Sequence, residues 1–258
     1  MTRIKEQEIT PDFAQMCEAA YIYLNKQVQD GIKFWLKANL VPPFLEHLSF
    51  RLGNQLFFIH LEDISCKVIT PANIDGLISI ADACNGHACL MPMEKKLLGG
   101  WQPYTNGWCL FDAKTGNPID PLSLITEEKI VMTDWEVQDF AVQVVRDELR
   151  KKGYQLMSWQ GSPLVNPSIW FIGESGGPEW VVVRYSRKSR TIAPQPYDWN
   201  EIAQSCSHIS NIGHYAPVYP ANAEDAFDPL IGTILPLYRG YRLSTKFLGL
   251  ETPEYEKL

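Results

Sequence analysis

PYTNGWCL at residues 103–110 and PLYRGYRL at 236–243 share one punctuation: Pro, three residues, Gly, an aromatic, any residue, Leu. Working outward from these two stretches, the repetition extends. Leu97/Leu230, Gly99/Gly232, Pro103/Pro236, Gly107/Gly240 and Leu110/Leu243 pair with one offset of 133 residues. Upstream, two segments end in Gly-His, IDGLISIADACNGH and WNEIAQSCSHISNIGH, now 127 apart. Each has helical apolar spacing and is followed by a short apolar run (ACLMPM, YAPVYP) that reads as a strand. Before these lie PPFLEHLSFRLGNQLFFIHLED and SPLVNPSIWFIGESGGPEWVVVRYS. Each is a Pro-containing loop and two apolar runs around a Gly-bearing turn, the pattern of an antiparallel hairpin.

Each half opens with a helix. In ITPDFAQMCEAAYIYLNKQ, Thr10 is placed to cap, Pro11 suits the first turn and Asp12 suits the positive dipole end. In TDWEVQDFAVQVVRDELRKKG, Thr133 and Glu136 have capping-box spacing and the last turn is basic. Gly31 and Gly153 stop the helices 122 residues apart, and IKFWLK and YQLMSW follow as strands. The expectation is an α+β protein, a tandem duplication of an αβββαββ unit. The copies occupy 1–130 and 131–258, joined near 126–134 and packed as a pseudo-dimer around a local twofold axis.

That element order resembles two architectures: the restriction-endonuclease-like core and the α+β sheet of class I type III secretion chaperones. The nuclease resemblance implies an acidic residue opening the second core strand and Glu-x-Lys on the third, together holding magnesium. The matching positions here read Glu46, then Phe58 with His60, and Asn166, then Val182 with Arg184. Neither copy has two carboxylates and a lysine. The chaperone resemblance requires no catalytic set, and the acidic charge suits it.

Composition bounds the partners. The chain has 258 residues, 23 Lys and Arg against 30 Asp and Glu, and a net charge of −7. Residues 1–132 carry −4 and the rest −3. An acidic balance in both halves argues against general nucleic-acid or anionic-membrane binding, which rests on basic footprints. MTRIKEQEIT lacks the apolar core of a signal peptide, and no apolar run approaches membrane-spanning length. Six scattered cysteines make no disulfide framework, so the expected setting is the reducing cytoplasm.

Several motifs have a bland reading beside a chemical one. His87 and His214 would close the second helices, where a histidine suits the dipole; the chemical reading is a titrating or metal-binding pair. CNGHAC offers Cys84, His87 and Cys89, one ligand short of a zinc site, so no metal and no cofactor is expected. Asp112-x-Lys114 precedes turn residues and reads as a solvated hairpin tip. ESGGPEW lacks the phosphate-loop pattern, and no serine sits in a nucleophile elbow. Arg184, Arg187, Lys188 and Arg190 form a local basic cluster able to grip an acidic segment.

The expected function is therefore a non-catalytic binding or scaffold protein with a protein partner of unstated identity. Candidate contacts are Trp101, Tyr104, Trp108, Tyr238, Arg239 and Tyr241 with the basic cluster, because Trp, Tyr and Arg dominate interface energetics. The alternative is a metal-dependent hydrolase or nuclease-like enzyme, its site assembled across copies from Glu46, His60, Asp112, Lys114 or Arg184.

Overall fold

The computed structural model describes residues 10–37, 47–71, 73–97, 99–186, 193, 195–224 and 235–253. Among these residues, four α-helices and two sheets make a mixed α+β protein, and the chain divides into two compact units, Met1–Lys129 and Ile130–Leu258.

In the first unit, helix α1 (Pro11–Lys26) starts where the Thr10 side chain accepts a hydrogen bond from the Phe13 N–H. Three antiparallel strands follow: β1 (Phe34–Lys37), β2 (Leu48–Leu52) and β3 (Gln55–Asp63). The β2–β3 turn needs the left-handed φ of +58° that Gly53 adopts. Helix α2 (Ile74–Ala83), capped by Asn73, leads to β4 (His87–Lys95), which lies parallel to β3. Short strands β5 (Trp101–Pro103), β6 (Leu110–Asp112) and β7 (Pro118–Ile119) complete the sheet. Central β3 is buried on both faces, which is why it reads as an almost continuous apolar run. Phe57, Ile59 and Leu61 join Cys89, Met91 and Met93 against Phe13, Met16, Ala20 and Leu24 of α1. The opposite face of β3 and β4 packs on α2.

In the second unit, helix α3 (Asp134–Lys151) has the full reciprocal capping box between Thr133 and Glu136. Antiparallel β8 (Gln155–Trp159), β9 (Ile169–Ile172) and β10 (Pro178–Tyr185) follow. Helix α4 (Trp199–Cys206) leads to β11 (Gly213–Asn222), parallel to β10, and β12 (Leu243–Phe247) returns antiparallel along β11. Val181, Val183, Ala216 and Val218 pack on Ala141, Val142, Val145 and Leu149 of α3. Trp180, Val182 and Tyr215 pack on Trp199, Ile202 and Cys206 of α4.

The parallel pairs share a register: Phe57 lies opposite His87, and Val181 opposite His214. The glycine before each histidine has a steric cause. A Cβ on Gly213 would collide with the buried Trp180 ring, and one on Gly86 would sit 2.7 Å from Cε2 of Phe58 and 3.2 Å from the Leu56 carbonyl oxygen. Neither histidine ends a helix; both lie in strands, so the helix-dipole reading does not apply.

The return strands do not follow the repeated punctuation. Lys95 and Asn222 each lie eight residues beyond their histidine, and their partners are Trp101 and Leu243. Trp101 and Leu243 therefore occupy corresponding rungs of their own sheets, whereas the matched spelling pairs Leu110 with Leu243. The first unit turns early, at Gly99 and Gly100, stays on β4 as far as Tyr104, whose N–H donates to the Pro92 carbonyl at 2.9 Å, and leaves the ladder over 105–109 before β6. The second unit spends its long connection before the strand. Gly107 and Gly240 both adopt left-handed φ (+76° and +86°), but in turns at different places along the sheet. Leu230 and Gly232 lie outside the described residues.

Candidate functional site

The positions where the nuclease-like comparison expects chemistry lie at one end of the central hairpin in each unit. In the first unit Leu48 pairs with Ile59, so the next rung sets His47 beside His60. In the second, Ile169 pairs with Val181, and the same direction leads to Asn166 beside Arg184, whose Nη2 donates to Asn166 Oδ1 at 3.1 Å. The counterpart of Asn166 is thus His47 rather than Glu46, which lies outside the described residues. Ser49 and Ser168 occupy the adjoining matched position, both buried.

The two ends are chemically unlike. His47 and His60 are almost wholly buried. Burial, then the charge of Lys37 and the neighbouring His60, pushes His47 down to about 3. Burial also lowers His60. Both imidazoles are therefore neutral near pH 7. His60 Nε2 meets Thr70 Oγ1 at 3.0 Å, while His47 Nε2, His60 Nδ1 and Ser49 Oγ are buried without a hydrogen-bond partner. Among the described residues no group of three or more His, Cys, Asp or Glu is placed to hold a metal ion.

In the second unit the end is cationic. Arg184 lies on the α4 side of β10, next to buried Val182, and is itself half-buried. Its Nη1 donates to the Val183 carbonyl at 2.9 Å. Burial pushes the guanidinium below its usual value, against the pull of Asp198 and Tyr215. Ser168 Oγ accepts from the Val183 N–H at 3.1 Å, fixing the strand beneath it.

At the other end of the central strands, His87 Nε2 meets Gln55 Oε1 at 3.1 Å and stacks on Phe57. His214 Nε2 meets Glu179 Oε2 at 2.8 Å. Burial pushes Glu179 up, but hydrogen bonds from Ser175 and His214 outweigh it and hold the carboxyl below its ordinary value. Ser175 and His214 both bind the glutamate, so the order is Ser–Glu–His. With the carboxylate in the middle the imidazole cannot take the serine proton, and a hydrolase relay is not formed.

The candidate contacts separate by environment. Tyr104 and Tyr241 are exposed. Tyr238 is half-buried, contacts the Tyr241 ring and bridges Val131. Trp101 is buried in β5 with the Lys95 ammonium 5.8 Å from its ring centroid, and Trp108 is half-buried against the α1 core, stacked with Phe50. Arg239 is 1% exposed and forks onto Glu136, Nε to Oε1 at 2.7 Å and Nη2 to Oε2 at 2.9 Å. It is a structural ion pair. The capping box made Glu136 visible in the sequence, but its partner, 103 residues away, carried no local signal. Arg187, Lys188 and Arg190 lie outside the described residues. Asp112 Oδ1 accepts from the Lys114 and Thr115 N–H groups, while Lys114 Nζ pairs with Asp82 at 2.6 Å. That is turn chemistry.

Residues 135–253 match a family model described as a domain of unknown function, DUF8840. The match runs from the first turn of α3 to beyond β12, just under half the chain and almost all of the second unit. No curated protein and no solved structure matches the chain. Among the described residues no helix is long and apolar enough to cross a membrane.

Proposed function

We propose that this chain is a non-catalytic binding or scaffold protein. In this reading two copies of one ancestral αβββαββ unit pair as a pseudo-dimer in the cytoplasm and recognise a protein partner. The observation that carries the non-catalytic reading is the filling of the third strand. Where the nuclease-like core would set the glutamate of Glu-x-Lys, Phe58 and Val182 are fully buried apolar side chains. The x-Lys position holds a buried neutral histidine in one unit and an arginine in the other. Neither pair can hold magnesium, which takes oxygen ligands.

Descent from one unit is supported by the common order of helix, three antiparallel strands, helix and parallel strand. It is supported further by the shared register at His87 and His214. The family match that begins and ends with the second unit suits a separable module. A cytoplasmic setting suits six free cysteines, five of them buried. The exposure of Tyr104 and Tyr241 suits a contact with such a partner.

Affinity purification followed by titration of the purified partner tests the reading. A stoichiometric complex weakened at least tenfold by Tyr104→Ala or Tyr241→Ala is expected. Magnesium- or manganese-dependent cleavage of nucleic acid by the purified chain would overturn it. The duplication is tested separately by expressing 1–129 and 130–258 apart. Copies of one unit that form a pseudo-dimer reassociate, and folded halves with no mutual affinity would refute the pairing.

A further inference from the structure

Three arginines of the second unit are at least half-buried, Arg146, Arg184 and Arg239, and among the described residues only Arg184 lacks a carboxylate: Arg146 pairs with Asp147 at 2.8 Å. Arg239 is held by the Glu136 carboxylate through two charge-assisted hydrogen bonds. Arg184 is half-buried, and its two hydrogen bonds go to neutral acceptors, the Val183 carbonyl and the Asn166 amide oxygen. No carboxylate among the described residues pairs with it. Asp198, the N-cap residue of α4, and Tyr215, whose hydroxyl donates to the Ala193 carbonyl, act on it only through space.

Taking a charge out of water without a counter-charge is costly, so sheltered charges in folded proteins are paired. A guanidinium has five N–H donors in a fixed fork, and two are used here. The other three have no partner among the described residues. The fork is also held in place: Asn166 binds one arm and Val183 the other, while Ser168 pins the Val183 N–H. A fixed, half-desolvated fork with spare donors matches the two-oxygen edge of a phosphate or carboxylate. The corresponding residue of the first unit is a neutral histidine, so only one of the two hairpin ends has this property.

We propose that Arg184, positioned by Asn166, is an oxyanion-binding subsite of the second unit that accepts one phosphate or carboxylate group. The subsite stands on the geometry of Arg184 and Asn166 alone. It can fail while the binding-protein reading survives, and the reverse.

The test titrates the full 15N-labelled chain with inorganic phosphate, acetate or chloride at constant ionic strength, following the Arg184 Nε–H resonance. A saturable shift with phosphate or acetate, absent with chloride, is expected. Phosphate alone would identify the group as phosphate, acetate alone as carboxylate, and both as either. An equal response to chloride, or no saturable response to either oxyanion, would overturn the proposal. Asn166→Asp supplies a carboxylate at the Asn166 Oδ1 position. It should raise Tm in anion-free buffer and weaken the response to phosphate at least tenfold. Arg184→Lys keeps the charge but loses the fork; followed on the Asn166 side-chain amide resonance, which is read in the unmodified chain as well, it should also weaken binding at least tenfold. Undiminished oxyanion binding in either variant would refute the assignment.

Discussion

Arg239→Met tests whether the second unit is fastened by the ion pair between its last connection and its first helix. The guanidinium is 1% exposed and the Glu136 carboxylate 6%, so neither charge has much recourse to water. Removing one partner of such a pair strands the other, at a cost of about 3–5 kcal/mol. Glu136 keeps two other donors, the Thr133 N–H at 2.9 Å and Oγ1 at 3.0 Å, which favours the lower end, about 3 kcal/mol. With a urea m-value of about 1–3 kcal/mol/M, that loss shifts the unfolding midpoint of the second unit by roughly 1–3 M. Urea unfolding by circular dichroism gives the midpoint, and hydrogen exchange on α3 peptides assigns it to the second unit. The double variant Arg239→Met/Glu136→Leu removes both charges at once. Apolar replacement of a whole buried pair is often neutral, so it should lose only about 1 kcal/mol, the capping term. Strictly additive losses, or a single-variant loss under about 1 kcal/mol, would show that the pair does not act as the fastening.

The first unit should weaken in mild acid. His47 titrates near 6.5 when unfolded and about 3 when folded, so its stabilising effect is complete above pH 6.5 and is lost as pH falls toward 3. The loss is about 2 kcal/mol at pH 5, with His60 adding in the same direction; His47→Phe should flatten the profile, and an unchanged slope would sink the argument. Gly213→Ala and Gly86→Ala should each cost about 1–3 kcal/mol in chemical denaturation, because the added methyl meets a buried ring. Gly76→Ala, in helix α2 with open space around it, should instead gain about 0.4–1 kcal/mol; equal effects at all three would refute the steric account. Iodoacetamide at neutral pH should modify Cys66 first, the exposed thiol, whereas burial pushes Cys17 up to about 12 and Cys89 higher still. Mass spectrometry finding Cys17 or Cys89 labelled as fast would contradict their burial.

Local chemistry was legible in the sequence wherever a signal and its partner lie within a few residues. Thr10, Thr133 and Glu136 announce their helices because a cap bonds three residues away. Gly153, at φ +83°, stops α3 directly after its Lys152 cap, whereas α1 already ends at Lys26 with Gln27 as its cap, and Gly31 closes a separate turn in which its N–H donates to the Val28 carbonyl at 2.9 Å. Alternating and continuous apolar runs gave the hairpins and central strands, since burial on one face or both writes itself into side-chain choice. The repeated punctuation around Gly107 and Gly240 did not give the strand register. Spelling records that a turn exists, whereas register depends on which rung of the neighbouring strand the returning chain meets.

What the tertiary structure decided was the use of each polar side chain. Arg184 and Arg239 look equally suited to a partner in the sequence. Among the described residues, packing brings no carboxylate onto Arg184 and locks Arg239 to Glu136 from 103 positions away. Likewise, nothing near His47 in the chain says that His60 stands beside it and that both are dry. The sequence alone determined the helices, the antiparallel hairpins and the strand after each second helix, because those follow from near-neighbour propensity and periodicity, but not the short strands β6 and β7 that give the first sheet seven strands where five were expected. Charge pairing, desolvation and register belong to residues brought together only by the fold, where the energy depends on distance in space rather than distance along the chain.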